Sequence, residues 1–100
     1  MADPIKVVID EDLEDIVPGY LENRQKDIKD LHKCLQEDDF DNASILGHRM
    51  KGSGAGYGFD QITEIGRGIE TSAKSSNKDG IASGLAELID YLERVEISYE

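Results

Sequence analysis

Hydrophobic residues recur every three or four positions along most of the chain, which is the spacing of one face of an amphipathic helix. Four such stretches lie at about residues 20–37, 40–57, 61–74 and 81–98. Their predicted core positions are Val17, Leu21, Ile28, Leu31 and Leu35; Ala43, Leu46, Met50 and Tyr57; Ile62, Ile65, Ile69 and Ala73; and Ile81, Leu85, Leu88, Leu92 and Val95. Four amphipathic helices with short connections predict an all-α fold, an antiparallel up-down four-helix bundle over residues 10–100.

The first residues of the chain follow a different pattern. Ile5, Val7 and Ile9 alternate as in a strand, but no partner strand is apparent elsewhere. Residues 1–9 are therefore interpreted as an N-terminal arm lying on the domain, with a sheet as the weaker alternative. Asp10 is predicted to cap a short extra helix running to Val17. Pro18-Gly19 is predicted to interrupt it, because proline lacks the amide hydrogen and clashes with the preceding turn.

Turn residues separate the four predicted helices. Asp38-Asp39 forms an acidic break in which either residue can cap the second helix. Gly58-Phe59-Asp60 is typical of a glycine stop followed by a new N-cap. Residues 75–80 form the clearest loop in the chain.

Composition narrows the classes of function. One hundred residues make one domain, and a net charge of −11 argues against nucleic acids and anionic membranes, which attract basic surfaces. No apolar run approaches the length of a transmembrane helix, and the first ten residues lack the pattern of a signal peptide. A single cysteine, Cys34, cannot form an internal disulfide. These features predict a soluble cytoplasmic protein, by default a monomer.

His48 is predicted to face solvent. A helix turns about 100° per residue, so His48 points away from Leu46 and Met50, which occupy core positions. Lys51 and Gly52 follow three and four residues later and share its outer face. Glycine is unfavourable inside a helix by about 1 kcal/mol relative to alanine, so its presence here indicates a need for space.

This arrangement suits phosphoryl transfer. A neutral imidazole is a competent nucleophile near neutral pH, and Lys51 can neutralise charge on an incoming anion. Gly52 leaves room for a phosphoryl group or a partner's active site. Ser44, Arg49 and Ala55 are candidate docking residues around His48. Residues 44–74 carry a net charge of +1, so the remainder carries −12, which suits a partner with an acidic pocket.

The motif resembles that of the histidine phosphotransfer (HPt) domain family. His48-x-x-Lys51-Gly52 matches the family's H-x-[L/M]-K-G, with Met50 at the aliphatic position. The rest of the pattern follows in order: small residues at 53–55, a glycine at Gly58 and an aliphatic residue at Ile62. Ile69-Glu70 then stands where the family has Leu-Glu. Gly66 departs from it, because a cysteine or small apolar residue is common there. The motif covers about 23 residues, and the four-helix pattern extends the resemblance over most of the chain.

The resemblance implies a phosphorelay intermediate without kinase activity of its own. His48 would accept a phosphoryl group on Nε2 from the aspartyl phosphate of a receiver domain and pass it to another receiver. The partners would be response-regulator receiver domains and a hybrid or other histidine kinase. No cofactor or metal is expected on this chain, because the magnesium ion sits on the receiver.

Two alternatives stay open. The chain could be the phosphoacceptor domain of a chemotaxis-type histidine kinase, which also carries H-x-x-K-G and a Gly-Phe like Gly58-Phe59; the start at Met1 favours a stand-alone protein. It could also be a helical adaptor that is never phosphorylated.

Other residues receive plainer interpretations. His32 is predicted to lie on a helix surface and Cys34 to be buried or half-buried. Glu70 could orient Lys51 or Arg67, or be a plain surface carboxylate. Gly54 is predicted to allow close approach of another helix. The glycine run from 52 to 58 lacks the preceding strand of a dinucleotide-binding loop and the residue order of a Walker loop.

Overall fold

The computed structural model describes residues 3–100, so the first two residues of the predicted arm lie outside it. Four helices make up most of the chain, which confirms the all-α four-helix fold. In chain order the elements are strand β1 (Ile5–Ile9), a short 3-10 helix (Glu11–Leu13), α1 (Val17–Glu37), α2 (Phe40–Ser53), a second 3-10 helix (Ala55–Tyr57), α3 (Asp60–Lys74), α4 (Lys78–Arg94) and strand β2 (Val95–Tyr99).

The helices enclose one hydrophobic core. Each helix contacts the next along the chain, and α1 also contacts α4, so the four form a closed bundle. The most extensive contact is between α2 and α3. Every predicted core residue of α3 is buried, as are Ala43, Leu46 and Met50 of α2. The sequence pattern therefore predicted the inner faces of these two helices, which carry the candidate site.

Two strands pair beside the bundle, which corrects the prediction that β1 has no partner. β1 and β2 lie parallel, with Ile5 opposite Val95 and Ile9 opposite Tyr99. The predicted fourth helix was too long, because α4 ends at Arg94 and residues 95–98 belong to β2. Val95, Ile97 and Tyr99 alternate with polar residues, and this two-residue period prevails over helix continuation once a partner strand is present.

α1 begins at Val17, and Pro18 lies inside its first turn. The predicted interruption at Pro18-Gly19 is wrong, because the first turn of a helix leaves amide hydrogens unbonded and tolerates proline. The predicted short N-terminal helix is the 3-10 turn Glu11–Leu13. Asp10 caps it as expected, since its carboxylate accepts a hydrogen bond from the Asp12 backbone nitrogen at 2.9 Å.

The buried face of α1 also differs from the predicted stripe. Leu21, Ile28 and Leu35 are only partly buried, while Arg24 and Asp27 are buried. Arg24 Nε donates to Asp27 Oδ2 at 2.8 Å, and its guanidinium lies 4.3 Å from the Tyr20 ring centroid. Burial raises the pKa of Asp27, and the charge of Arg24 acts against that rise. A charged pair can be buried because each partner satisfies the other.

α2 ends at Ser53, four residues before the predicted end at Tyr57. Tyr57 belongs to the second 3-10 helix rather than to α2, so it does not continue the core stripe of α2, and it is only half-buried. Gly58 has a φ of 91°, a left-handed conformation that favours glycine, so it ends the turn as predicted. Phe59, rather than Asp60, occupies the N-cap of α3, and its buried ring stacks on Tyr20.

The connection before α4 is shorter than predicted. Asn77 accepts a hydrogen bond from the Gly80 backbone nitrogen at 3.1 Å, so α4 begins at Lys78 and the loop is confined to 75–77. At the start of α2, Asp39 provides the predicted cap by accepting from the Asn42 nitrogen. None of the helices within residues 3–100 is long and apolar enough to cross a membrane.

Candidate functional site

α2 and α3 cross at two glycines, Gly47 and Gly66. A Cβ atom on Gly47 would lie 2.6 Å from the Glu70 backbone nitrogen, and one on Gly66 would lie 2.5 Å from the Lys51 backbone nitrogen. Because these neighbours are backbone atoms, a larger residue would force the helices apart. The crossing brings Glu70 beside the helix that carries His48.

His48 lies on the outer side of this crossing, as its helical phase predicted. Its side chain is 67% exposed, and Nδ1 lies 2.9 Å from Oε2 of Glu70. A carboxylate only accepts hydrogen bonds, so the neutral imidazole carries its proton on Nδ1 and has its lone pair on Nε2. Nε2 makes no hydrogen bond to any residue between 3 and 100. The lone pair of Nε2 is therefore not engaged within this part of the chain.

Glu70 is the buried centre of the site. Only 7% of its side chain is exposed, yet it has three polar partners. Lys51 Nζ lies 2.6 Å from Oε1, and Lys74 Nζ lies 3.3 Å from Oε2. The hydrogen bond from Lys51 is the main cause that lowers the pKa of Glu70 to about 2; those from His48 and Lys74 act in the same direction, and burial opposes them. Glu70 is thus ionised at neutral pH.

The two residues predicted to assist His48 take different positions. Lys51 is half-buried and bonded to Glu70, one helical turn beyond His48. Of the two partners proposed for Glu70, the structure pairs it with Lys51, while Arg67 bonds to Glu64. Gly52 is exposed, and a Cβ atom there would meet nothing within 4 Å. The surface beside His48 is consequently open on the side of Gly52.

The end of α2 is held from α3 and from α1. Thr63 Oγ1 donates to the Lys51 carbonyl and accepts from the Ala55 nitrogen at 2.8 Å. A Cβ atom on Gly54 would lie 2.6 Å from the Thr63 nitrogen, so the predicted close approach at Gly54 is confirmed. From the other side, the Tyr20 hydroxyl lies 2.9 Å from Ser53 Oγ. These contacts fix the backbone that carries Lys51 and Gly52.

The candidate docking residues differ in exposure. Arg49 and Ala55 are exposed, and Ser44 is half-buried. Sequence reasoning missed Ile45, which is 48% exposed although it is large and apolar. Ile45 precedes His48 by three residues and Gly52 by seven, so the three share one side of α2. The signal was available, because Ile45 falls off the core stripe formed by Ala43, Leu46 and Met50.

The remaining candidates do not contribute to this site. His32 is exposed on α1, and Cys34 is buried, with desolvation and nearby carboxylates raising the pKa of its thiol. The glycine run forms the end of α2 and the following 3-10 turn rather than a phosphate-binding loop. Within the described range 3–100, no group of three or more His, Cys, Asp or Glu residues could hold a metal ion.

Comparison with known proteins agrees with the motif. The sequence model of the Hpt domain family matches residues 15–97. Multistep phosphorelay regulator 1 of Schizosaccharomyces pombe is 33% identical over 66 residues, which make up 66% of this chain and 22% of the yeast protein. The chain thus matches about a fifth of that relative's length. No solved structure gives a significant match. With the family match spanning both the His48 helix and the bundle around it, the chain belongs to the Hpt domain family.

Proposed function

We propose that this protein is a phosphocarrier in which His48 takes a phosphoryl group from the aspartyl phosphate of one receiver domain and passes it to another. Membership of the Hpt family gives the chain a phosphotransfer role. One observation carries the finer proposal: His48 is exposed while its Nδ1 is bonded to the buried carboxylate of Glu70.

The chemistry follows from that bond. The Nε2 lone pair attacks phosphorus, the bond between phosphorus and the receiver's aspartyl oxygen breaks, and the aspartate leaves as a carboxylate. The new N–P bond makes the imidazole cationic, because the proton stays on Nδ1. Glu70 stabilises that cation at 2.9 Å. In the second transfer the aspartyl carboxylate of the next receiver attacks phosphorus, the N–P bond breaks, and its electron pair returns to Nε2, so the leaving group is the neutral imidazole with its proton still on Nδ1.

Two neighbours assist the transfer in this proposal. The reaction's charge lies on the equatorial oxygens of the phosphoryl group, and a nearby cation stabilises it. Lys51 is that cation, one helical turn beyond His48. Gly52 admits the receiver's active site, since no atom lies within 4 Å of its Cβ position. The chain contributes no nucleotide site to this mechanism and has no kinase activity of its own.

The partners are proposed to be receiver domains, one of which belongs to a hybrid or other histidine kinase. Ile45 supplies an apolar contact beside His48, and Arg49 supplies a cation for the acidic pocket of a receiver. Ser44 and Ala55 extend this docking face at its two ends. The magnesium ion for the reaction is assigned to the receiver, and the carrier is proposed to act as a monomer.

Transfer from a phosphorylated receiver domain tests the proposal. The wild-type protein should acquire phosphate that is labile in acid and stable in base, and His48→Gln should acquire none. His32→Gln is the matched control, because His32 is also an exposed helical histidine and its replacement should leave transfer unchanged. With a radioactively labelled receiver as donor, three quantities are measured: the label lost by that receiver, the label gained by the carrier, and the label passed on to a second, unphosphorylated receiver.

Each result has a separate meaning. Phosphate that remains on His48→Gln would contradict the assignment of the acceptor. A carrier that is phosphorylated only by an ATP-loaded kinase domain, and never by a receiver, would support the kinase-domain alternative. A wild-type protein that accepts phosphate from neither donor would support the adaptor.

A further inference from the structure

Glu70 has more positive charge around it than its own charge requires. One carboxylate is paired with two lysines, Lys51 on Oε1 at 2.6 Å and Lys74 on Oε2 at 3.3 Å. It also accepts the hydrogen bond from His48. With His48 neutral, the four groups carry a net charge of +1 at neutral pH. One lysine can therefore leave Glu70 without leaving the carboxylate unpaired.

The two lysines are attached to different members of the site. Lys51 is on α2, three residues after His48, so its ammonium group can turn towards a group on the imidazole. Lys74 is on α3, four residues after Glu70, and a glutamate followed by a lysine at this spacing is the favourable order in a helix. Lys74 is thus held near Glu70 by its own helix, whatever Lys51 does.

We propose that Lys74 is a positioning residue that keeps Glu70 paired while Lys51 turns from Glu70 to the phosphoryl group on His48. The inference rests on the phosphorylation of His48 proposed above. No bond forms or breaks in this exchange beyond the transfer itself: one ion pair, Lys51 with Glu70, is replaced by another, Lys51 with phosphate.

Burial of Glu70 is the reason that a second cation is needed. Its side chain is 7% exposed, and a buried carboxylate that loses its cation is strongly unfavourable. If Lys51 were the only lysine paired with Glu70, the carboxylate would keep the Lys51 ammonium group beside it. The negative charge of the incoming phosphoryl group would then be stabilised less well. A phosphoryl group brings almost two negative charges, which one surplus positive charge in the free site partly balances.

Lys74→Gln tests the inference, with phosphoramidate as a small phosphoryl donor that needs no receiver. The rate of His48 phosphorylation should fall about three- to fivefold, the range expected for losing a partly exposed ion pair. Lys78→Gln is the matched control, because Lys78 is an exposed lysine paired with Asp38. It should phosphorylate at the wild-type rate. Circular dichroism checks that both variants are folded.

The same measurement in a Glu70→Gln background separates positioning from direct contact. If Lys74 acts through Glu70, adding Lys74→Gln to Glu70→Gln should change the rate no further. A loss of the same size in both backgrounds would overturn the inference, since Lys74 would then act on the phosphoryl group itself. Equal rates for Lys74→Gln and Lys78→Gln would overturn it as well.

A spectroscopic readout follows the lysines directly. On phosphorylation, the side-chain nitrogen signal of Lys51 should shift in nuclear magnetic resonance spectra while that of Lys74 changes little. A shift of Lys74 with an unchanged Lys51 would contradict the exchange. Wild-type protein that takes phosphate neither from phosphoramidate nor from a phosphorylated receiver would defeat the proposed function itself, whereas a phosphorylated wild type with an unaffected Lys74→Gln would defeat this inference alone.

Discussion

Glu70 shows how one buried residue organises the surface chemistry of this domain. The carboxylate selects the tautomer of His48 and orients its ring, and it holds Lys51 one turn away. Without it, both side chains would be separate surface groups on α2. The distinction matters because an imidazole with an unfixed tautomer presents its nucleophilic nitrogen outward only part of the time.

The ionisation of Glu70 should make the stability of the fold depend on pH. Its pKa falls to about 2 in the folded protein, from about 4.3 in an unfolded chain. The unfolded state binds the proton more readily, so the stabilisation is complete above about pH 5 and is lost as the pH falls towards 2. Urea unfolding at several pH values should show this decline in the wild type.

Glu70→Gln removes the titrating group and is the comparison for that series. The free energy of unfolding of the variant should fall less steeply between pH 5 and 2 than that of the wild type. Parallel curves for the two proteins would show that Glu70 contributes nothing to the acid sensitivity, and that its three partners leave its pKa unchanged.

Sequence reasoning at the residue scale identified His48 more readily than its partners. A histidine between two core positions is exposed by helical phase alone, and a lysine three residues later shares its face. Glu70 is different, because its contacts with His48 and Lys51 depend on the distance between α3 and α2. Its sequence position beside Ile69 indicates that it lies near the edge of a buried face. Its contact with His48 also requires the close crossing of α2 and α3 at Gly47 and Gly66, which the sequence pattern does not show.

At the scale of elements, the separation of α2 and α3 is set by the lack of side chains at Gly47 and Gly66. The crossing is close enough for backbone atoms of one helix to occupy the space that a Cβ would need on the other. The conformational penalty of glycine in a helix is therefore offset by closer packing and by the contacts of Glu70. The departure of Gly66 from the family pattern has this steric explanation.

Gly66→Ala should destabilise the protein by about 1–3 kcal/mol, because the added methyl group would meet the Lys51 backbone nitrogen at 2.5 Å. Gly68→Ala is the control on the same helix, since no atom lies within 4 Å of its Cβ position. It should instead stabilise the fold by up to about 1 kcal/mol through helix propensity. Chemical denaturation measures both. Similar effects of the two substitutions would contradict the steric account of the crossing.

The ends of elements were harder to predict than their inner faces. The stripe of α3 was correct at every predicted core position, although the buried face also includes Glu70, which no apolar pattern indicates. On α1 the buried face includes Arg24 and Asp27, and a pattern of apolar residues cannot reveal a charged pair that satisfies itself. α2 ends before its predicted limit, and the turn that follows is held by hydrogen bonds to Thr63 on the next helix, which the pattern along α2 alone does not indicate.

At the scale of the whole molecule, the paired strands support the site from a distance. Ile9 at the end of β1 is 1% exposed, and its side chain occupies the space beside Gly58, the residue that precedes α3. The turn between α2 and α3 therefore packs against β1, which lies near the start of the sequence. The alternation of Ile5, Val7 and Ile9 indicated a strand. Its pairing with β2 could not be predicted, because it depends on how the folded helices bring the two segments together.

Ile9→Ala should lower the free energy of unfolding by about 2–4 kcal/mol, the usual effect of truncating a fully buried aliphatic side chain. Val8→Ala is the neighbouring control, because Val8 is 58% exposed on the opposite face of the same strand, and its replacement should cost less than about 1 kcal/mol. Thermal or urea unfolding compares them. Equal losses would indicate that β1 stabilises the protein through backbone pairing alone.

The parallel pairing of β1 with β2 has a consequence for the order of folding. Apart from those between α1 and α4, the helix contacts in this bundle join segments that are adjacent in sequence, whereas β1 pairs with β2, which follows all four helices. A growing chain must therefore carry Ile5–Ile9, a short apolar segment of high strand propensity, without its partner until translation has passed Tyr99. Asp3 before it and Asp10, Glu11 and Asp12 after it place negative charge on both sides, as gatekeeper residues do around segments prone to aggregate.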